Sequence, residues 1–519
     1  MDVGIFRQIL FWPLSVHLPA ANDDSDLVAR VTKHLTQIDS PWQPKQHPFE
    51  PGHTAKPEDY AAAVYMHPFV QKLLYPKDKK PALTRFEAKS KPALLTVTHE
   101  NETSVKLRVN RLELALFRTG VVILVLDLQN QEPLTLEAVQ RCLDELRRCY
   151  LPFWDNGSPK MVPESVTIDA QEPLSAPAGM DGSGLTNTGV GLAPNLLPWW
   201  GKLLAPLTFN DQGDDPWVSH VVDERLPSMA FITVDDPTAL KRADWVRLCF
   251  ADAPGAGLPY GEAFLADFEK HHCYDRFWDP HGPDWMRSRY LLTGYQFTFV
   301  GRSGDDFTRD TLSTHFSHHY TDMALVLYYQ QAALLRLMAR LTPGTVSDLS
   351  DAAYRAQLRA AQREWMDFLG HGWFPTLSNQ VQGQDLFDLW QTQLRLPDLY
   401  QHVAEKARDM TAILNVAEDH EATEAGLRLN WIAMLGLIAS LIVGGLGVNV
   451  FIPEHAYGGK GWAVVAITTG VILLLAGLGF GAMARLNLTS QKPPLKKLSY
   501  VSLILGGLAS ITGWLLVCR

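Results

Sequence analysis

The C-terminal part of this chain constrains its fold most. Three apolar stretches follow one another there: Leu429 to Phe451, Trp462 to Leu486 and Leu498 to Cys518. Each has the roughly 20 residues that about 30 Å of hydrocarbon demands. Charged side chains keep to their ends, and Trp431, Trp462 and Trp514 lie toward those ends, as an interfacial belt would place them. The pattern predicts three transmembrane helices. Lys460 is the only Lys or Arg between the first two, whereas Arg485, Lys492, Lys496 and Lys497 fall between the second and third. That bias puts the second connection and the whole N-terminal body inside, and residues 452–461 outside, a cell inner membrane.

The rest of the chain is too polar to span. With 519 residues it is long enough for two or three cored domains. Forty-six basic residues against 56 acidic ones give a net charge of -10, and no Lys/Arg run stands out, so nucleic-acid binding is disfavoured. The five cysteines, Cys142, Cys149, Cys249, Cys273 and Cys518, are scattered and odd in number. They imply no disulfide framework and fit a reducing compartment, so the body is expected to be cytoplasmic. The N-terminal segment is interrupted by Asp2, Arg7, Pro13 and His17, and reads as a strand rather than an export signal.

Residues 1–310 read as an α/β domain. Strands are expected at Ala93–Thr98, Ser104–Asn110, Arg111–Phe117, Val121–Leu128, Ser228–Val234 and Tyr290–Val300. A helix near Leu134–Tyr150 has Thr135 as N-cap and Glu137 in its first turn. Residues 153–215 are rich in Gly, Pro, Ser and Asn and read as a flexible insertion; their glycines lack the Lys and preceding strand of a phosphate loop. A helical layer follows over 311–396, with helices at Tyr320–Arg340, Ala352–Leu369 and Val381–Leu396. From Pro397 nothing breaks the helical pattern until the first apolar stretch ends, about 55 residues or roughly 80 Å of helix. Leu399, Val403, Ala407, Met410, Leu414 and Ala417 form an apolar seam along it, so 397–428 reads as a stalk.

The first apolar stretch ends in Gly447-Val448-Asn449, and Pro453-Glu454 lies in the short loop beyond. An α/β body, helical layer, stalk helix, Gly-X-Asn end of the first span and Pro-Glu loop together resemble the CorA-type magnesium transporter superfamily. The architectural likeness covers roughly 310–486. The chain departs from the family in Val448, where Met is usual, in the third apolar stretch and in the larger body. The resemblance implies an α+β membrane protein assembled as a homopentamer in membrane lipid, with the first span lining a pore. Gly447, Val448, Asn449, Pro453 and Glu454 would form its mouth, and Leu435, Ile438, Ile442 and Gly445 a hydrophobic constriction. Asn449 amides would hold a hydrated Mg²⁺ through its water shell.

Glu418, Asp419, Glu421 and Glu424 cluster on the stalk and are candidate ligands for a regulatory divalent ion; a solvated helix face is the competing reading. His271-His272-Cys273 and His315/His318/His319 hold ligand-type residues without zinc spacing. The leading expectation is a channel or transporter for Mg²⁺, Co²⁺, Ni²⁺ or Zn²⁺, with no cofactor and no enzymatic activity. The alternative is a CorA-like membrane effector or sensor whose enlarged body binds a ligand or partner.

Overall fold

The computed structural model describes residues 1–519 except 19–26, 51–53, 78–79, 101–102, 157, 178–184, 188–191, 195, 210–214, 342–351, 451–465, 468, 472, 475–476, 478–493 and 519. Beyond residue 416, part of the side chains also lie outside the description. The chain divides into two compact units, Met1–Ala412 and Ile413–Arg519.

The first unit is built on one large, mostly antiparallel sheet. Its early strands are β1 (Asp2–His17), β2 (Trp42–Pro44), β3 (Leu83–Ala88), β4 (Leu94–Thr98), β5 (Ser104–Phe117) and β6 (Val121–Asn130). β1 lies at the centre. It pairs antiparallel with β6 on one side and with Ser228–Val234 on the other. Ser228–Val234 in turn pairs with Gln296–Arg302, and this pair is parallel. The single strand expected over Tyr290–Val300 is a hairpin of Arg289–Leu292 and Gln296–Arg302. At the turn, a Cβ on Gly294 would lie 2.9 Å from the Gln393 carbonyl oxygen, so only glycine allows that approach.

The two faces of the sheet have different covers. Leu10, Trp12, Leu14, Leu114, Leu116, Leu124 and Leu126 face one continuous apolar core. The helices α1 (Leu27–Leu35) and α4 (Leu136–Glu145) contribute Val31, Leu35, Val139 and Leu143 to it. Thr135 caps α4 as expected, its hydroxyl accepting from the Ala138 N–H at 3.2 Å. The alternate residues point the other way, as the two-residue period of a strand requires. There the helix Thr321–Arg340 packs aromatic against aromatic: Phe11 meets Tyr328 at 5.2 Å, and Phe117 stacks on Tyr329 at 3.8 Å between ring centres.

β5 contains a bulge that changes which residues face which layer. Val109 pairs with Leu128, but the next paired residue is Arg111, opposite Asp127, so Asn110 is the extra residue. Before it, Val105, Leu107 and Val109 face the apolar core; after it, Leu112, Leu114 and Leu116 do. The partner of β5 changes at the same place, from β4 over 104–108 to β3 over 113–117.

The long helix is present as Leu396–Val450. Val403, Ala407 and Met410 of its seam are buried within the chain itself, beside Tyr400 stacked 4.3 Å from Trp373. In the second unit, Pro494–Cys518 is helical. A Cβ on Gly470 would fall 2.7 Å from the Ser510 nitrogen, and one on Gly506 would fall 2.8 Å from the Gly470 carbonyl oxygen, so backbones approach closely there.

The membrane architecture requires correction. No helix among the described residues is long and apolar enough to cross a membrane. A crossing takes about 20 consecutive apolar helical residues, and of the stretches expected to supply them, residues 451–465 and 478–493 lie outside the described residues. The reading as an α+β membrane protein with two or three transmembrane helices is therefore withdrawn, and with it the multi-pass inner-membrane location and the membrane and channel assignments. What stands is a mixed α/β chain with a large sheet.

Candidate functional site

The residues expected to handle ions are not assembled by the described structure. Gly447, Val448 and Asn449 fall in the helix Leu396–Val450, but their side chains lie outside the described residues, as do those of Leu435, Ile438, Ile442 and Gly445. Pro453 and Glu454 lie outside them altogether. On the stalk Asp419 is exposed, while the side chains of Glu418, Glu421 and Glu424 are not described. Among the described residues no group of three or more His, Cys, Asp or Glu is placed to hold a metal ion. His272 bonds the Leu292 carbonyl through Nδ1 at 2.8 Å, and burial raises the Cys273 thiol to about 12. His319 is lowered to about 4 by burial and by His315 and His318, and stands edge-on to Tyr65.

The prominent concavity lies elsewhere, on the helix-covered face just past the bulge. It is a cavity of about 730 Å³, floored by β1, β3, β5 and β6 and walled by α2 (Pro57–Tyr65), the end of α3 (Pro68–Leu74) and residues 317–322. Six Lys or Arg and six Asp or Glu line it. Small-molecule sites commonly have volumes of about 300–1,000 Å³.

Strand register explains how charge collects on this floor. Arg7, Arg85, Arg111, Glu113 and Asp127 occupy the face opposite the apolar core, and the bulge brings Asn110 and Arg111 together beside Asp127. The Asp127 side chain is fully buried. It receives Arg7 in a fork, Nε to Oδ1 at 2.8 Å and Nη2 to Oδ2 at 2.6 Å, with Asn110 Nδ2 at 3.2 Å and Arg111 Nη2 at 3.4 Å. Those four donors use all the acceptor sites of a carboxylate. Lys45 Nζ lies 2.6 Å from Glu113 Oε1, and Asp322 accepts from Arg85 Nη2 and the Tyr75 hydroxyl, each at 3.0 Å.

Burial pushes all three carboxyls up, but their cations more than offset it. Asp127 is held below the usual range by Arg7 and Arg111, Glu113 by Lys45, Arg111 and Arg85, and Asp322 by Arg85 with Tyr75. All three are ionised at neutral pH. The Tyr75 phenol is itself pushed up by burial and by Asp322, and stays a donor.

The segment closing the cavity is irregular. Phe307–Leu312 and Phe316–Tyr320 are π-helical turns, which often mark functional positions in helices. The Ser317 carbonyl accepts from Arg111 Nη2 at 3.0 Å, so the irregular turn is tied to the cavity floor.

A second constellation has the order of a nucleophile, base and orienter. Cys142 Sγ is 3.6 Å from His99 Nε2, and His99 Nδ1 is 2.5 Å from Glu145 Oε2. Cys142 is 0% exposed and His99 1%, and burial drives the thiol pKa up. A thiol held protonated and sealed in the core is not an activated nucleophile. The arrangement is a satisfied buried cluster.

Sequence reasoning missed the cavity, although it left a signal. Asp127 interrupts the apolar run VVILVLDL, Arg7 sits in IFRQILFW and Glu113 in LELALF. A charged residue inside a doubly covered strand needs a partner there. Compared with protein-family models, curated proteins and solved structures, the chain matches none.

Proposed function

We propose that the body of this chain is a small-molecule-binding module of the effector or sensor kind, with the charged cavity as its ligand site. The observation that carries this reading is the cavity itself, about 730 Å³ and floored by ionised groups fixed by mutual hydrogen bonds. A floor of that kind is expensive to desolvate and is not needed for stability, since apolar side chains of similar volume often serve as well. It is suited to recognition, because its charges are already oriented before a ligand arrives.

The geometry favours binding over turnover. The floor presents guanidinium, ammonium, amide and ionised carboxylate groups, and the cysteine with a histidine neighbour is sealed in the core instead. The Arg111 contact to the Ser317 carbonyl offers a route by which occupancy would bear on the helix Thr321–Arg340.

Equilibrium dialysis of the full-length protein against a mixed extract of polar metabolites, read by mass spectrometry, tests the reading. At least one compound should be retained, and Ala62→Trp, which fills the cavity from α2, should release it. Retention of none, or equal retention by a folded Ala62→Trp protein, overturns the proposal.

A further inference from the structure

The balance of donors and acceptors on the cavity floor identifies the kind of ligand, given that the cavity is a ligand site as proposed above. Of the floor carboxylates, Asp127 has its four acceptor positions filled. The guanidinium groups are less committed. Arg111 uses Nη2 alone, for Asp127 at 3.4 Å and the Ser317 carbonyl at 3.0 Å; its Nε and Nη1 meet no acceptor among the described residues. Arg85 likewise engages Asp322 through Nη2, and its Nε is buried without a partner. Both side chains line the cavity, and both act on the charge of Glu113 and Asp322, which places them around one spot.

A buried donor without an acceptor is costly, and a planar guanidinium fork matches the paired oxygens of a phosphoryl or carboxylate group. Lysines and arginines equal aspartates and glutamates around the whole lining, so an anion is favoured by the uncommitted guanidinium nitrogens rather than by net charge. Glu50, Asp59 of α2 and Glu87 of β3 also line the cavity, acceptors suited to hydroxyl or amine groups.

We infer that the cavity takes a small polar molecule with an oxyanion head, phosphoryl or carboxylate, seated between Arg85 and Arg111, and a hydroxyl- or amine-bearing body directed at Glu50, Asp59 and Glu87. Arg111 is the discriminating residue. Its loss leaves Asp127 in the fork of Arg7, so the floor keeps its principal ion pair.

The test is a titration of the full-length protein, followed by calorimetry and thermal shift, with ribose 5-phosphate, ribose, citrate and spermidine as probes. Ribose 5-phosphate or citrate should bind while ribose and spermidine do not, and preference between the first two separates phosphoryl from carboxylate heads. Arg111→Gln, verified as folded by circular dichroism, should weaken binding by about tenfold or more, and Arg111→Lys should recover part of it. Binding of spermidine or ribose in place of the anions, unaltered anion affinity in Arg111→Gln, or no anion binding at millimolar concentration overturns the inference. The dialysis experiment keeps the two failures apart. Retained compounds that all lack an acidic group remove the oxyanion head and leave the ligand site, whereas retention of nothing removes the site itself.

Discussion

The two faces of the central sheet solve opposite problems with the same strands. One buries leucines, valines and tryptophans in a continuous core against α1 and α4. The other buries aromatic rings under Thr321–Arg340 and, past the bulge, a set of ion pairs around a cavity. Stray polar atoms occur on both faces, Arg85 Nε on the charged one, but the central carboxylate there is complete. Asp127 has four donors, whereas on the apolar face Trp12 Nε1, the Tyr150 hydroxyl and both ring nitrogens of His220 have no partner among the described residues. The difference teaches that apolar packing tolerates a few stray polar atoms, while a buried carboxylate is retained only with its partners complete.

The comparison breaks most readily at Asp127. Asp127→Ala leaves Arg7 and Arg111 beside an empty position and should cost about 3–5 kcal/mol in urea denaturation. A loss below about 1 kcal/mol would mean that solvent, not Asp127, neutralises these cations. On the other face Leu124→Ala, from a side chain 1% exposed, should cost about 3 kcal/mol through lost burial and the cavity it leaves. It should leave ligand retention unchanged, which Asp127→Ala should not.

Smaller effects sharpen the same contrast. Gly120 has φ of +81°, and a Cβ there would lie 2.8 Å from Nη2 of Arg336, whose buried guanidinium is already held by Glu364 through Nε at 3.0 Å. Gly120→Ala should cost about 2 kcal/mol, measured by thermal melting, because the conformation and the space are both wrong. Thr135→Ala, which removes the cap of α4, should cost about 1 kcal/mol.

Acid should act on buried histidines of both faces, His319 being lowered to about 4, before it reaches the floor carboxylates. Burial lowers His220 from 6.5 to about 3, so its stabilising neutral form is complete above pH 6.5 and its contribution drains away between there and about pH 3. The floor carboxylates have lowered pKa values in the folded state. Their contribution is complete above the ordinary carboxylate range, near pH 4, and is lost as pH falls through the folded values below it. Denaturation midpoints taken every half pH unit should show His220→Phe flattening the slope between pH 6 and 4 while leaving the steeper fall below pH 4. An unchanged slope would place the proton uptake on other groups.

Much of the first unit was legible in the sequence because local pattern and burial agree there. Ser228–Val234 and the helices at 321–340, 352–371 and 381–393 lie where periodicity places them, and Thr135 caps its helix. The split of 290–300 into a hairpin was not legible, since Gly294 matters through its approach to Gln393, a residue distant in sequence. The cavity was hidden for a related reason. Arg7, Arg85, Arg111, Glu113, Asp127 and Asp322 come from five separate elements, and only register brings them to one floor. The apolar C-terminal stretches misled in the other direction: composition suggested bilayer-spanning helices that the described residues do not supply.

The extra residue in β5 has a consequence for how this strand tolerates change. A strand is a two-phase pattern, and Asn110 acts as a phase slip that resets which side is inside. Ser104, Lys106 and Arg108 stand exposed before it, whereas both sides of the strand are covered from Leu112 onward. With Asn110 looped out, Val109 and Arg111 already stand on consecutive rungs opposite Leu128 and Asp127, so deleting Asn110 would straighten the strand and leave Arg111 and Glu113 on the charged face and Leu112 and Leu114 in the core. A single residue inserted after Leu112, with no bulge to absorb it, would instead invert the rest of the strand, so β5 should tolerate a loss at this point far better than a gain.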